Sequence, residues 1–254
     1  MIYFVGAGPG AKDLITVRGM KLISQADCII YAGSLVNSEL LEYAKPDCSV
    51  YDSAGMTLEE VIDVMVSAEK QALVTIRLHT GDPSLYGAIQ EQIDILKEHE
   101  LDFQVVPGVS AFSAAAAALS VEYTLPGVSQ SLIISRTAGR TAVPEKEAIQ
   151  SLSTHQTSMA LFLSAGLLDK LSAELIEGGY APETAAAIVY KASWPDELVV
   201  RTTVADLVQA GEENNIGSTA MVLVGDFLDS AYERSQLYHP SFSHGFRKAT
   251  ETGK

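Results

Sequence analysis

Apolar, often β-branched runs recur along the chain at IYFVG (2–6), CIIYA (28–32), ALVTIRL (72–78), FQVVPG (103–108), SLIIS (131–135), MALFLS (159–164), AAIVY (186–190), LVVRTT (198–203) and AMVLVG (220–225). Many of these read as core strands, because short continuous apolar runs suit strands covered on both faces. Amphipathic segments lie between many of them, at 14–25, 57–70, 89–98, 167–177 and 204–210. That alternation predicts an α/β fold with largely parallel sheets. The alanine-rich stretch 114–118 predicts a helix packed close to its neighbours. TLPGVSQS (124–131) concentrates Pro, Gly and Ser without hydrophobic periodicity and marks the best domain boundary. Two α/β domains are expected, 1–124 and 129–228, with a ligand site between them. From 229 the pattern decays, and 229–254 is expected to be a loosely ordered tail.

Composition narrows the function. With 254 residues, 47% of them hydrophobic, the chain has material for a proper core. Its formal charge of −15, with only 17 Lys and Arg, argues against nucleic acid as a partner. An anionic small molecule stays open, since a few basic residues in one cleft outweigh the average field locally. The N-terminus enters a strand-like run with no basic leader, and no apolar stretch reaches membrane-spanning length, so a cytoplasmic location away from membranes is expected. Cys28 and Cys48 come without a CxxC or a His-rich cluster and read as buried thiols. His155, His239 and His244 are scattered, without metal-ligand spacing, so no metal site is expected.

GAGPGA (6–11) follows the first strand and formally fits the dinucleotide pattern G-x-G-x-x-G/A. That pattern works through backbone N–H groups, and Pro9 has none. No carboxylate ends the second strand, where a ribose hydroxyl would be held, and no P-loop sequence occurs. Two readings remain: a tight strand-to-helix turn, or close approach of backbone to a ligand that is not a dinucleotide. RLHTGDPSLYG (77–87) sets Asp82 and Pro83 after another strand, at the edge where open α/β sheets present ligands. Asp82 is either a ligand-pocket residue or the cap of a helix beginning near Pro83.

Together, GAGPGAKDLITVRG (6–19), YAGSLV (31–36), HTGDPSLYGAIQEQ (79–92), PGVSAFSAAAAAL (107–119) and SRTAGRT (135–141) resemble, in order and spacing, the tetrapyrrole methyltransferases of vitamin B12 biosynthesis. The resemblance covers about 1–228; YAGSLV, HTGDPSLYGAIQEQ and SRTAGRT are similar to the branch that methylates C11 of a precorrin-4-type macrocycle, with or without cobalt. It implies two αβα domains of the tetrapyrrole methylase type with the active site in the cleft between them, a homodimer, and S-adenosylmethionine as donor, released as S-adenosylhomocysteine. A sulfonium donor carries no phosphate, which reconciles an acidic residue with a glycine-rich turn. Carried over by position, Pro9 lies beside the donor and Gly81, Asp82, Leu85 and Tyr86 line its pocket. Ser110, Ala111, Leu163 and Ala192 match further donor contacts.

Methyl transfer from sulfonium to carbon needs no acid at sulfur, so alignment is the expected contribution of the protein, and no residue stands out as catalytic. The carboxylate arms of an anionic tetrapyrrole call for cations: Lys12 and Arg18 near the glycine turn, and Arg136 and Arg140 in SRTAGRT. His79 is a candidate for substrate positioning or proton transfer, and equally for a structural role. The sole tryptophan, Trp194 in KASWPDE (191–197), reads as a cover for the site or as hinge packing. Competing readings are a relative acting on another corrinoid carbon, on uroporphyrinogen III or on a diphthamide precursor in a protein, an NAD-dependent oxidoreductase, and a non-catalytic corrinoid-binding or donor-binding protein.

Overall fold

The computed structural model describes residues 1–250. Its N-terminal sheet has five strands, β1 (Ile2–Gly6), β2 (Cys28–Tyr31), β3 (Ser49–Asp52), β4 (Thr75–His79) and β5 (Phe103–Val106), in the order β3-β2-β4-β1-β5 with every adjacent pair parallel. The connecting helices are α1 (Val17–Gln25), α2 (Leu58–Glu69), α3 (Ile89–Glu98) and α4 (Ala111–Leu119). One face of the sheet packs Ile2, Phe4 and Ile30 against Val61, Ile62 and Met65 of α2 and Ile93 and Leu96 of α3. The other face packs Val5, Ile29, Ile76 and Leu78 against Ile23 of α1 and Leu40. Burying each such side chain contributes about 1.5–3 kcal/mol. Thr57 and Glu60 form a reciprocal capping box that starts α2, a feature that contributes about 1 kcal/mol. The expected helix 14–25 is interrupted: Lys12–Leu14 is a 3-10 turn, and α1 begins only after Thr16, whose hydroxyl accepts the Gly19 N–H.

The second sheet contains β6 (Leu132–Arg136), β7 (Ser158–Phe162), β8 (Ala185–Tyr190), β9 (Leu198–Thr203) and β10 (Ala220–Val224), ordered β6-β7-β10-β8-β9. Its helices are α5 (Ile149–Ser153), α6 (Leu168–Glu177) and α7 (Leu207–Glu213). β6 and β7 are parallel, but β10 runs antiparallel to β7. This sheet is therefore mixed, contrary to the expectation of largely parallel sheets; an apolar run buried on both faces carries no signal of its direction. By compactness the chain divides into one unit of Met1–Leu119, Val189–Val199 and Thr219–Met221, and a second of Ser120–Ile188, Val200–Ser218 and Val222–Lys254. Within the expected loose tail, Gln236–Tyr238 forms a 3-10 turn and Arg247 donates to the carbonyls of Leu237 and His239, both at 2.8 Å. Residues 251–254 of that tail lie outside the described residues. No helix among the described residues is long and apolar enough to cross a membrane.

Candidate active site

Three turns leave the C-terminal ends of β1, β4 and β5 and meet backbone to backbone. Gly8 and Gly81 form an antiparallel bridge, Gly8 N to Gly81 O at 3.2 Å and Gly81 N to Gly8 O at 2.7 Å. A Cβ on Gly6 would fall 2.6 Å from Gly108 Cα and 2.7 Å from Gly81 O, and one on Gly108 would overlap the Gly81 carbonyl. Gly8 and Gly81 also hold φ of +80° and +61°, which L side chains rarely adopt. Gly10 faces the Trp194 indole so closely that a Cβ there would overlap the ring. Trp194 Nε1 donates to Pro9 O at 3.0 Å, and Asn37 Nδ2 donates to Gly10 O at 2.9 Å.

These contacts decide what the glycine turn can hold. Ala7 N–H goes to His79 O, Gly8 N–H to Gly81 O, and Ala11 N–H to Ser193 Oγ, while Pro9 has no N–H. A pyrophosphate finds no cradle of free amides in that set. The residues present fit a phosphate-free ligand at this edge of the sheet.

Asp82 clasps two of the turns together. Its Oδ2 accepts Gly108 N–H at 2.8 Å, and its Oδ1 accepts Ser84 N–H at 2.9 Å and the Ser84 hydroxyl. Partial burial alone would raise its pKa, but these three hydrogen bonds outweigh it and hold the carboxyl below the usual carboxylate range. Asp82 caps no helix, because α3 begins only at Ile89. The intervening loop is strained: Tyr86 and Ala88 adopt φ of +57° and +48°, and a Cβ on Gly87 would overlap the Pro83 carbonyl. Leu85 is half-buried and Tyr86 45% exposed in this loop. Ser110 is buried and Ala111 half-buried at the start of α4, and Ser110 Cα and Ala111 N each lie 3.6 Å from where a Gly81 Cβ would sit. Ala192 is buried between Lys191 and Ser193, which both have positive φ, of 44° and 71°. Thus Pro9, Gly81, Asp82, Ser110 and Ala111 gather at one edge of the first sheet.

The basic candidates divide. Lys12 Nζ pairs with Glu42 at 2.8 Å on the surface. Arg18 is exposed on α1, and its side chain makes no ion pair or hydrogen bond among the described residues. His79 is buried: it is 7% exposed, its ring lies 5.9 Å from that of Phe4, and its Nε2 has no partner. Burial, reinforced by Arg77, pushes its pKa down to about 3, so it is neutral near pH 7. Of the two expected roles of His79, its burial against Phe4 favours the structural one over substrate contact.

In the second unit, Arg136 pairs with Phe162 across β6 and β7, which brings SRTAGRT beside Leu163. Arg136 donates to the carbonyls of Thr137, Thr141 and Ala142, the last at 2.8 Å. It braces its own loop, whereas Arg140 is exposed with no partner among the described residues. Leu163 combines φ of +53° with 69% exposure, two features an ordinary leucine avoids. Sequence reasoning missed Asn37, Ser193 and Gly108 as holders of the turns. The one advance signal was Gly108 itself, a glycine in the Pro-Gly turn that follows a strand.

A sequence model of the tetrapyrrole (corrin/porphyrin) methylases matches residues 1–208. The chain is 52% identical over 249 residues to a cobalt-precorrin-4 C(11)-methyltransferase of Methanocaldococcus jannaschii, covering 98% of this chain and 96% of that one. It is 42% identical to a precorrin-4 C(11)-methyltransferase of Pseudomonas aeruginosa, covering 97% and 98%. Among solved structures, an X-ray structure of cobalt precorrin-4 methyltransferase matches with a TM-score of 0.88 and 47% identity over 90% of this chain and 96% of that chain. Near-complete coverage at these identities, on a sheet edge shaped for a phosphate-free ligand, has one reading: the chain belongs to the tetrapyrrole (corrin/porphyrin) methylases.

Proposed function

We propose that the protein transfers a methyl group from S-adenosylmethionine to C11 of a precorrin-4-type macrocycle, with the cobalt-loaded form as the preferred substrate. The observation that carries this reading is the 52% identity, across nearly the whole chain, to a relative named for that reaction on the cobalt form. The lower identity of 42% to a relative named for the cobalt-free form favours the same choice. The family resemblance extends the reading to a cytoplasmic homodimer.

When bound, S-adenosylmethionine supplies a methyl on sulfonium sulfur, and the departing thioether is neutral and needs no proton. The protein's part is therefore alignment, an effect that lowers barriers by about 7–11 kcal/mol in favourable cases. Asp82, bonded at both oxygens, holds the shape of the donor pocket and moves no proton. Gly81, Ser110 and Ala111 supply small groups and backbone at its wall, with Leu85 and Tyr86 on the adjoining loop. We assign the macrocycle's carboxylates to Arg18 and Arg140, the cations of the expected set that hold no partner among the described residues.

The test is a methylation assay with labelled S-adenosylmethionine on cobalt-loaded and metal-free precorrin-4 side by side. The expected product is heavier by one methyl, with the label at C11 and faster turnover of the cobalt form. A label at another carbon, or donor binding without turnover, overturns the assignment.

A further inference from the structure

Arg77 is a charged residue in the middle of β4, 9% exposed, and no carboxylate among the described residues forms an ion pair with it. A buried cation without a counter-ion is costly, and a methionine would occupy similar space without that cost. Its hydrogen bonds show where the compensation goes. Arg77 Nε donates to Gln92 Oε1 at 3.3 Å, and Nη1 donates to Ile30 O at 3.3 Å and to Ser53 Oγ at 3.0 Å. All three acceptors are neutral and sit on three different elements.

Each branch continues outward. Gln92, itself 5% exposed, turns its Nε2 to Ala88 O at 3.0 Å, at the end of the strained loop that carries Leu85 and Tyr86. Ser53 donates to Tyr31 O at 3.1 Å, where the 31–36 loop begins. Beyond that loop, Asn37 holds the Gly10 carbonyl of the glycine turn. A planar guanidinium is suited to this junction, since it offers several donors in fixed directions where lysine offers one mobile point.

We infer that Arg77 is a positioning residue: through Gln92 it holds the 83–88 loop, and through Ser53 the 31–37 loop, in the geometry that binds the methyl donor. It touches neither donor nor macrocycle. The inference rests on the donor reading of this sheet edge given above.

The test is calorimetry with S-adenosylhomocysteine on the full chain, combined with amide hydrogen exchange. Arg77→Met should weaken S-adenosylhomocysteine by about tenfold, the loss that accompanies removal of hydrogen bonds to a charged group. Arg77→Lys should not restore binding. Gln92→Met, which cuts only the branch to Ala88, should weaken it by about threefold, and the double variant should lose less than the product of the two because both act along one chain. Exchange should quicken in 84–88 and 31–36 while the amides of β1 and β4 stay protected; a purely packing role would instead loosen the whole sheet. Binding within twofold of the unaltered protein in Arg77→Met overturns the inference. If that variant does not fold, Arg77→Lys and Gln92→Met decide it by the same criterion. Failure of the unaltered protein to bind S-adenosylhomocysteine overturns the donor reading itself, which separates the two failures.

Discussion

The two sheets present their candidate loops by different physical means. At the edge of the first, the turns after β1, β4 and β5 are held by main chain against main chain, at Gly6, Gly8, Gly81 and Gly108, with the Asp82 carboxylate as the clasp. In the second, the loop after β6 is held by side chains reaching carbonyls and amides: Arg136 to Ala142 O, Lys170 to Ala138 O at 2.7 Å, and Ser164 Oγ accepting Thr137 N–H at 2.9 Å. The first arrangement excludes added atoms. The second depends instead on side-chain donors and acceptors. On the function proposed above, a backbone-clasped edge suits a donor pocket, and a braced loop suits a surface that meets a charged macrocycle.

This contrast breaks most readily at Gly108. Gly108→Ala forces a Cβ into the Gly81 carbonyl, and we expect a loss of about 3 kcal/mol or more, because overpacking against backbone cannot be relieved by a rotamer change. Chemical denaturation measures it; a loss under about 1 kcal/mol would show that the three turns have slack. Next in size, Arg136→Met removes a half-exposed guanidinium from three carbonyls and should cost about 2 kcal/mol in the same measurement. Affinity for S-adenosylhomocysteine should change by less than about twofold; a larger change would give Arg136 a direct part in donor binding.

The smallest effect concerns pH. Folded His79 takes its proton only near pH 3, because burial and then Arg77 disfavour the charged ring, whereas an unfolded histidine takes it at about 6.5. Between those values the unfolded chain binds the extra proton, so stability falls as pH drops through that window, by up to about 1.4 kcal/mol per pH unit from this group. His79→Phe should flatten that slope in unfolding curves recorded from pH 7 to 4. An unchanged slope would mean that the acid sensitivity arises elsewhere, and would remove His79 from the list of groups that distinguish the first sheet's core.

Much of the fold was legible because burial leaves a periodic trace. All nine apolar runs overlap strands, and the five amphipathic segments overlap helices. β3 was missed because it is an exposed edge strand, SVYD, whose pairing partner rather than its composition makes it a strand. α5 was missed because five residues give too little periodicity to read. At the candidate site, the glycines and Asp82 stood out as residue types that a plain strand-to-helix turn does not require. The roles of Arg77 and Asn37 were not legible, and for Trp194 the choice between cover and hinge packing was left open, since each acts on a segment far away along the chain: Trp194 lies 185 residues from the Pro9 carbonyl it holds.

The amino-acid order by itself determined the α/β class and the family, because these follow from local residue chemistry and from motifs of fixed spacing; Pro9 argued against a pyrophosphate, and the tertiary bonds that occupy the neighbouring amides completed that exclusion. Only the tertiary structure decided that Asp82 clasps Gly108, that Arg136 braces its own loop, and that His79 is a neutral core residue. Each of those outcomes depends on which groups are brought within 3 Å or so of a side chain. That distance is set by the packing of whole sheets, not by neighbours in sequence.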